Sequence, residues 1–154
     1  MKIASLMLAS LACFFGAGIT SAAPPKVEFF KSDIVLPSPP PFSEAVRVDN
    51  MLYLSGTIGL EPGTRKLVSG GMPEEAKQVM ANIKTTLEKH GYTLHDLVKC
   101  TVLLADMSKW GEFNEIYKTY FDGRYPARSA MGVNGLALGA QVEVECIAAG
   151  SGKK

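Results

Sequence analysis

Two residue types late in the chain have the chemistry to work together. Arg128 follows Tyr125-Pro126-Ala127 at the start of a β-rich run, where a guanidinium offers two parallel donors to a carboxylate. Glu143 and Glu145 alternate with Val142, Val144 and Cys146, so they share one face of a strand. Two carboxylates there repel unless they are solvated, paired with a cation or used. An arginine at one strand's start and a glutamate on the next can hold an acidic substrate and a water together, if the fold lets them meet. Taken singly, each also reads as an ordinary exposed residue.

Other chemistries lack their residues. No phosphate loop, dinucleotide fingerprint, zinc-protease helix or Gly-x-Ser-x-Gly elbow occurs. Cys100 and Cys146 belong to no Cys-x-x-Cys pair and have no histidine at ligand spacing, which argues against a metal site. His90 and His95 flank Gly91 at a helix end, where a histidine meets the helix dipole or solvent.

The chain has 154 residues, enough for one domain with a real core and too few for two ordinary ones. Residues 1–22 read as a secretory signal: Lys2 is the positive start, Ile3 to Ile19 is apolar, and small residues at Ser21-Ala22-Ala23 suit cleavage. Ser10, three places ahead of Cys13, does not fit a lipoprotein signal, and Gly16 and Gly18 weaken a permanent anchor. The mature protein is therefore expected to be periplasmic or secreted and free of the membrane. Removing the leader takes away one lysine and no acid, leaving fifteen basic and fifteen acidic residues. A neutral chain without Lys and Arg clusters is a poor nucleic-acid binder.

The elements that must position Arg128 and Glu143 follow from periodicity. Residues 23–41 form a proline-rich lead-in, in which Val27 to Phe30 suits an edge strand; residues 42–150 are one domain and 151–154 a tail. Ala45 to Val48 and Met51 to Ile58 read as a hairpin about Asp49-Asn50, and Gly59 to Gly71 as a loop. A helix is predicted from Pro73 to His90 with Ala76, Val79, Met80, Ile83 and Leu87 inward. Val98 to Leu104 is a strand with Val98, Cys100, Val102 and Leu104 on one face. Ser108 caps a second helix to Phe121, its inward stripe Trp110, Phe113, Ile116, Tyr117 and Tyr120. Ala127 to Val133 and Val142 to Ala149 are strands joined by a glycine-bearing turn. The result is an α+β fold, a sheet of about six strands with both helices on one face, and the other face needing cover from further subunits.

Blocks in order along the chain resemble the RidA (YjgF, L-PSP) family. They are Pro41-Phe42-Ser43-Glu44-Ala45-Val46, Leu54-Ser55-Gly56 with Ile58, and Asp96-Leu97-Val98-Lys99-Cys100-Thr101-Val102 with Asp106-Met107. Phe113-Asn114-Glu115-Ile116-Tyr117 with Phe121, then Pro126-Ala127-Arg128-Ser129, then Gly139-Ala140 and Val142-Glu143-Val144-Glu145 complete the set. The resemblance implies a chorismate-mutase-like fold with a mixed sheet, a homotrimer with clefts between subunits, and no cofactor or metal. It implies hydrolysis of 2-imino or enamine acids, such as 2-aminoacrylate, to 2-oxo acids and ammonia, of the 2-iminobutanoate/2-iminopropanoate deaminase type. Arg128 then matches the residue that grips the substrate carboxylate and Glu143 the one that positions or activates water, while Ser55, Gly56 and Asn114 shape the cleft. Phe42 and Ala130 depart from the pattern, standing where many members have tyrosine and cysteine. A non-catalytic carboxylate binder, a chaperone-like holdase, or an endoribonuclease that inhibits translation are the rival readings. The implied topology sets Cys100 and Cys146 side by side on the helix-covered face; two buried thiols are favoured over a disulfide, and an oxidising compartment keeps the bridge open as the alternative.

Overall fold

Asp49 turns the chain with a left-handed backbone (φ 52°), a conformation that aspartate tolerates. The turn joins β2 (Ala45–Val48) to β3 (Met51–Leu54) in an antiparallel hairpin, and β1 (Val27–Phe30) adds to its outer edge. The structure, a computed structural model, describes residues 23–32 and 40–150. The expected leader over residues 1–22, residues 33–39 of the expected lead-in and the expected tail lie outside the described residues.

Strands β4 (Thr57–Ile58), β5 (Leu97–Leu104), β6 (Ala127–Gly132) and β7 (Val142–Ala149) complete one mixed sheet of seven strands in the order β1-β2-β3-β7-β5-β6. The seventh strand arises because the run from Met51 to Ile58 is broken. Tyr53 pairs with Ile147 and Thr57 with Val144, so three residues on one side oppose two on the other. That bulge lies at Leu54-Ser55-Gly56. The last two long strands are not neighbours: β5 runs between them, parallel to β6 and antiparallel to β7.

Helix α1 (Met72–Lys89) begins with Pro73, Glu74 and Glu75 in its first turn and buries the predicted stripe. Helix α2 is regular only over Trp110–Tyr117, with 3₁₀ turns Met107–Lys109 and Lys118–Tyr120 at its ends. The cap is Asp106, whose carboxylate accepts from the backbone and hydroxyl of Ser108, rather than Ser108 itself. Both helices pack on one face, where Val79, Ile83, Leu87 and Phe113 meet Leu52, Val102, Leu104, Val142 and Val144.

Three burial assignments change, two of inward residues and one of a helix-end residue. A bulge between Leu97 and Lys99 puts Leu97 inside and leaves Val98 42% exposed. Trp110, at the start of α2, is 45% exposed. His90 is not a solvated helix-end residue: its side chain is 7% exposed and stacks on Phe30 with centroids 4.0 Å apart.

Cys100 and Cys146 stand opposite each other in the β5–β7 pair and are joined in a disulfide, Cα to Cα 4.1 Å. Of the two alternatives, the structure has the less favoured one, the bridge, in place of two thiols. Both side chains point from facing positions into the same buried layer, and antiparallel residues opposite one another in a non-hydrogen-bonded pair approach closely enough to bridge.

Candidate active site

The residues singled out in the sequence form two groups. The first gathers on the helix-covered side of the β6 edge. Arg128 pairs in register with Cys100 and Ala130 with Val102, so both share the face of those buried residues. Asn114, on α2, accepts from Arg128 Nη2 at 2.5 Å. The guanidinium also lies over the rings of Tyr117 and Phe113, 4.7 and 5.8 Å from their centroids. No carboxylate of the described residues pairs with Arg128, so its remaining N–H groups are open to an anion. Ala130, partly buried two residues on, packs against the core.

The second group lies on the open face. Glu143 pairs with Leu103 on β5 and Ile58 on β4, three positions along β5 from the partner of Arg128 and on the opposite side of the sheet. Its carboxylate rests against the bulge. A Cβ added to Gly56 would sit 1.8 Å from Glu143 Oε1, so only glycine there lets the carboxylate keep its place. Burial pushes the Glu143 carboxyl up from the usual range, and the neighbouring charge of Glu145 pushes it further. Ser55 donates its hydroxyl to Ser43 O at 2.6 Å, fastening the loop that carries Phe42, which is 62% exposed. Ser55 thus holds the wall rather than offering a free hydroxyl.

Within one chain, then, Arg128 and Glu143 do not converge. Three strand positions span about 10 Å, and the side chains point to opposite faces. One is a cation with open donors on one side of the sheet, the other a carboxylate of raised pKa in a glycine-lined notch on the opposite side. A shallow depression on the open face is lined by Tyr53, Lys99, Thr101, Glu145 and Ile147, without Glu143, and Tyr53 and Met131 on that face are 43% and 45% exposed. Among the described residues no three His, Cys, Asp or Glu side chains converge to hold a metal. Tyr117 is the residue whose part sequence reasoning missed. It reads as core from its stripe, yet it lies three positions from Asn114 on α2, the spacing that sets two side chains on one helix face.

The chain's relatives share this frame. The family model for endoribonuclease L-PSP matches residues 36–150. The 2-iminobutanoate/2-iminopropanoate deaminase of Mus musculus is 51% identical over 108 residues, covering 70% of this chain and 80% of that protein. Its Homo sapiens counterpart is 46% identical, covering 70% and 79%. Among solved structures, RidA from an Antarctic Psychrobacter superposes with a TM-score of 0.72 at 36% identity, over 79% of this chain and 98% of that one. With the match running from the end of the lead-in to the last strand, and both site groups inside it, the chain belongs to the RidA (YjgF, L-PSP) family.

Proposed function

We propose that this protein is an enzyme that hydrolyses reactive 2-imino and enamine acids to 2-oxo acids and ammonia, acting as a homotrimer in which Arg128 of one copy faces Glu143 of the next. The observation that carries the reading is Arg128: a half-buried guanidinium fixed by Asn114 and Tyr117, with open donors and no carboxylate partner among the described residues. An imino acid offers that fork the carboxylate it lacks, and binding there fixes the reacting carbon. Protonation of the imine nitrogen makes the carbon electrophilic. Glu143, made more basic by its burial, accepts a proton as water adds to that carbon. The resulting carbinolamine takes the proton back on nitrogen and collapses: the C–N bond breaks, ammonia leaves, and the hydroxyl proton passes to the freed Glu143 carboxylate and on to solvent as the C=O forms. No cofactor or metal enters these steps.

The trimer supplies what one chain lacks. Two half-sites on opposite faces of one sheet cannot share a small substrate, whereas a neighbour laid on the open face brings an Arg128 edge toward a Glu143 notch. Curated deaminase relatives support the activity. Against the ribonuclease named by the family model stand the neutral charge balance and the lack of a basic cluster. Export as a periplasmic or secreted protein is supported by the leader pattern and by the Cys100–Cys146 disulfide, which suits an oxidising compartment.

The experiment is release of ammonia and 2-oxo acid from a panel of freshly generated imino acids, with sedimentation of the same sample. Faster release than the uncatalysed reaction, by a particle of three chains, is the expected result. No acceleration with any imino acid would turn the reading to a carboxylate binder, and a stable monomer would remove the shared site.

A further inference from the structure

Arg128 is held by two contacts of different kinds. Asn114 Oδ1 takes one Nη2 hydrogen at 2.5 Å, which anchors one corner of the guanidinium. A single bond leaves the plane free to turn about that corner. The Tyr117 ring, 4.7 Å from Cζ, removes this freedom, because a cation prefers to lie over the face of an aromatic ring. Tyr117 is itself immobile, 4% exposed and packed between Phe113 and Phe121 at 5.6 and 4.9 Å. Its hydroxyl is buried with no hydrogen-bond partner, and burial pushes its pKa up to about 12, so it neither ties down a neighbour nor gives up a proton near neutrality. What the position supplies to Arg128 is therefore the ring.

We propose that Tyr117 is a positioning residue for the deamination, its ring fixing the plane of the Arg128 fork so that the open donors meet the substrate carboxylate. The inference rests on Arg128 being the carboxylate clamp. It separates the two parts of the tyrosine: the ring matters and the hydroxyl does not.

A matched pair of sites makes the test. Tyr92 is as buried as Tyr117, also has a hydroxyl without partner, and also lies under an arginine, Arg47, at 5.6 Å, but it is far from Arg128 in the sheet order. Tyr117→Leu is expected to raise KM for imino acids about three- to thirty-fold while kcat stays within about twofold, and Tyr117→Phe to restore the parent KM. Tyr92→Leu deletes the same atoms and is expected to lower Tm without moving KM. A KM in Tyr117→Leu no higher than in Tyr92→Leu, with Arg128→Ala still crippling, overturns the inference and leaves the clamp standing. An Arg128→Ala enzyme as fast as the parent overturns both. Should Tyr117→Leu fail to fold, the parent decides: the Arg128 Nε–H resonance, identified by its loss in Arg128→Lys, must be displaced by the ring current. A resonance at the position of free arginine overturns the placement directly.

Discussion

Among the described residues two arginines lie over pairs of aromatic rings, and their donors are engaged differently. Arg47 lies over Phe30 and Tyr92, and both its terminal nitrogens are engaged, Nη1 by Glu28 at 3.0 Å and Nη2 by the carbonyl of His90 at 2.7 Å, while its Nε is buried without a partner. It clamps β1 and the end of α1 to β2. Arg128 lies over Phe113 and Tyr117, but only Asn114 takes a donor. The carboxylates differ in the same sense. Glu28 is held below the usual carboxylate range by hydrogen bonding to Lys26 and then to Arg47, while Glu143 is pushed above it by burial and Glu145. The same pairing of residue types is closed at Arg47 and Glu28, and open at Arg128 and Glu143, where the proposed site lies. The difference is the carboxylate: Glu28 pairs with Arg47, and among the described residues none pairs with Arg128.

The largest effect is expected where the comparison should vanish. The disulfide joins β5 to β7, the seam between the half of the sheet that carries Arg47 and the half that carries Arg128. Cysteines 46 positions apart close a loop whose entropy is worth about 4 kcal/mol. Replacing Cys100 and Cys146 by alanine should lower Tm sharply and weaken both regions together. Alkylation without reduction should label neither residue in the parent, and labelling of both would restore the two-thiol expectation.

The arginines themselves come next, and here the two regions should part. Arg128→Ala removes a charge-assisted contact worth about 1.5–3 kcal/mol, so kcat/KM should fall by about one to two powers of ten with Tm unchanged. Arg128→Lys should recover part of the loss, since an ammonium keeps the charge without the fork. Arg47→Ala should do the reverse, costing several degrees of Tm while the folded protein keeps its kcat/KM. If both variants lose activity in proportion to stability, the contrast between open and closed arginines is wrong.

A smaller effect separates the regions by pH. Burial lowers the pKa of His90 below the ordinary 6.5, against the opposing pull of Glu44, whose carboxylate lies 3.4 Å from Nε2. Lys89, Arg47 and Phe30 complete its surroundings. The unfolded chain then binds the proton more tightly than the folded one. Stability is full above about pH 6.5 and falls as pH drops from there toward the lowered value. Tm measured from pH 8 to pH 5 should decline at the acid end, and His90→Gln should flatten that decline.

Much of this frame was legible in the sequence, for reasons that differ by residue. The hairpin about Asp49-Asn50, the inward stripe of α1 and the alternation of β7 are local patterns, and the structure keeps them. Val98 misled because a bulge is set by the partner strand, not by its own neighbours. The cysteine bridge depends on a register between segments 46 residues apart, which no local pattern encodes. Arg128 and Glu143 were visible as residue types. Their separation onto opposite faces was not, because it follows from the registers that set Arg128 beside Cys100 and Glu143 beside Leu103, an odd number of positions apart on β5. Tyr117 was hidden inside a core stripe, since periodicity tells which way a ring points and not what lies upon it.

The smallest expected effect tests whether Glu143 stands open in the assembled protein. Its pKa is raised, so the folded chain binds this proton more tightly than the unfolded one, and stability falls as pH rises from the ordinary 4.5 through the raised value. Above that value the charged carboxylate is a constant cost, which Glu143→Gln removes without changing shape. The variant should therefore melt about a degree higher than the parent at pH 7, and the gain should disappear as pH falls below about 4.5, where the parent's carboxyl is also neutral. Its kcat should fall with little change in KM, as expected of a group that acts on water. Glu28→Gln should move the other way, losing Tm at pH 7, because that carboxylate is charged and paired with Lys26 and Arg47. A Glu143→Gln protein that melts lower at neutral pH would mean that a cation, such as Arg128 of a neighbouring copy, already closes on the carboxylate when no substrate lies between them.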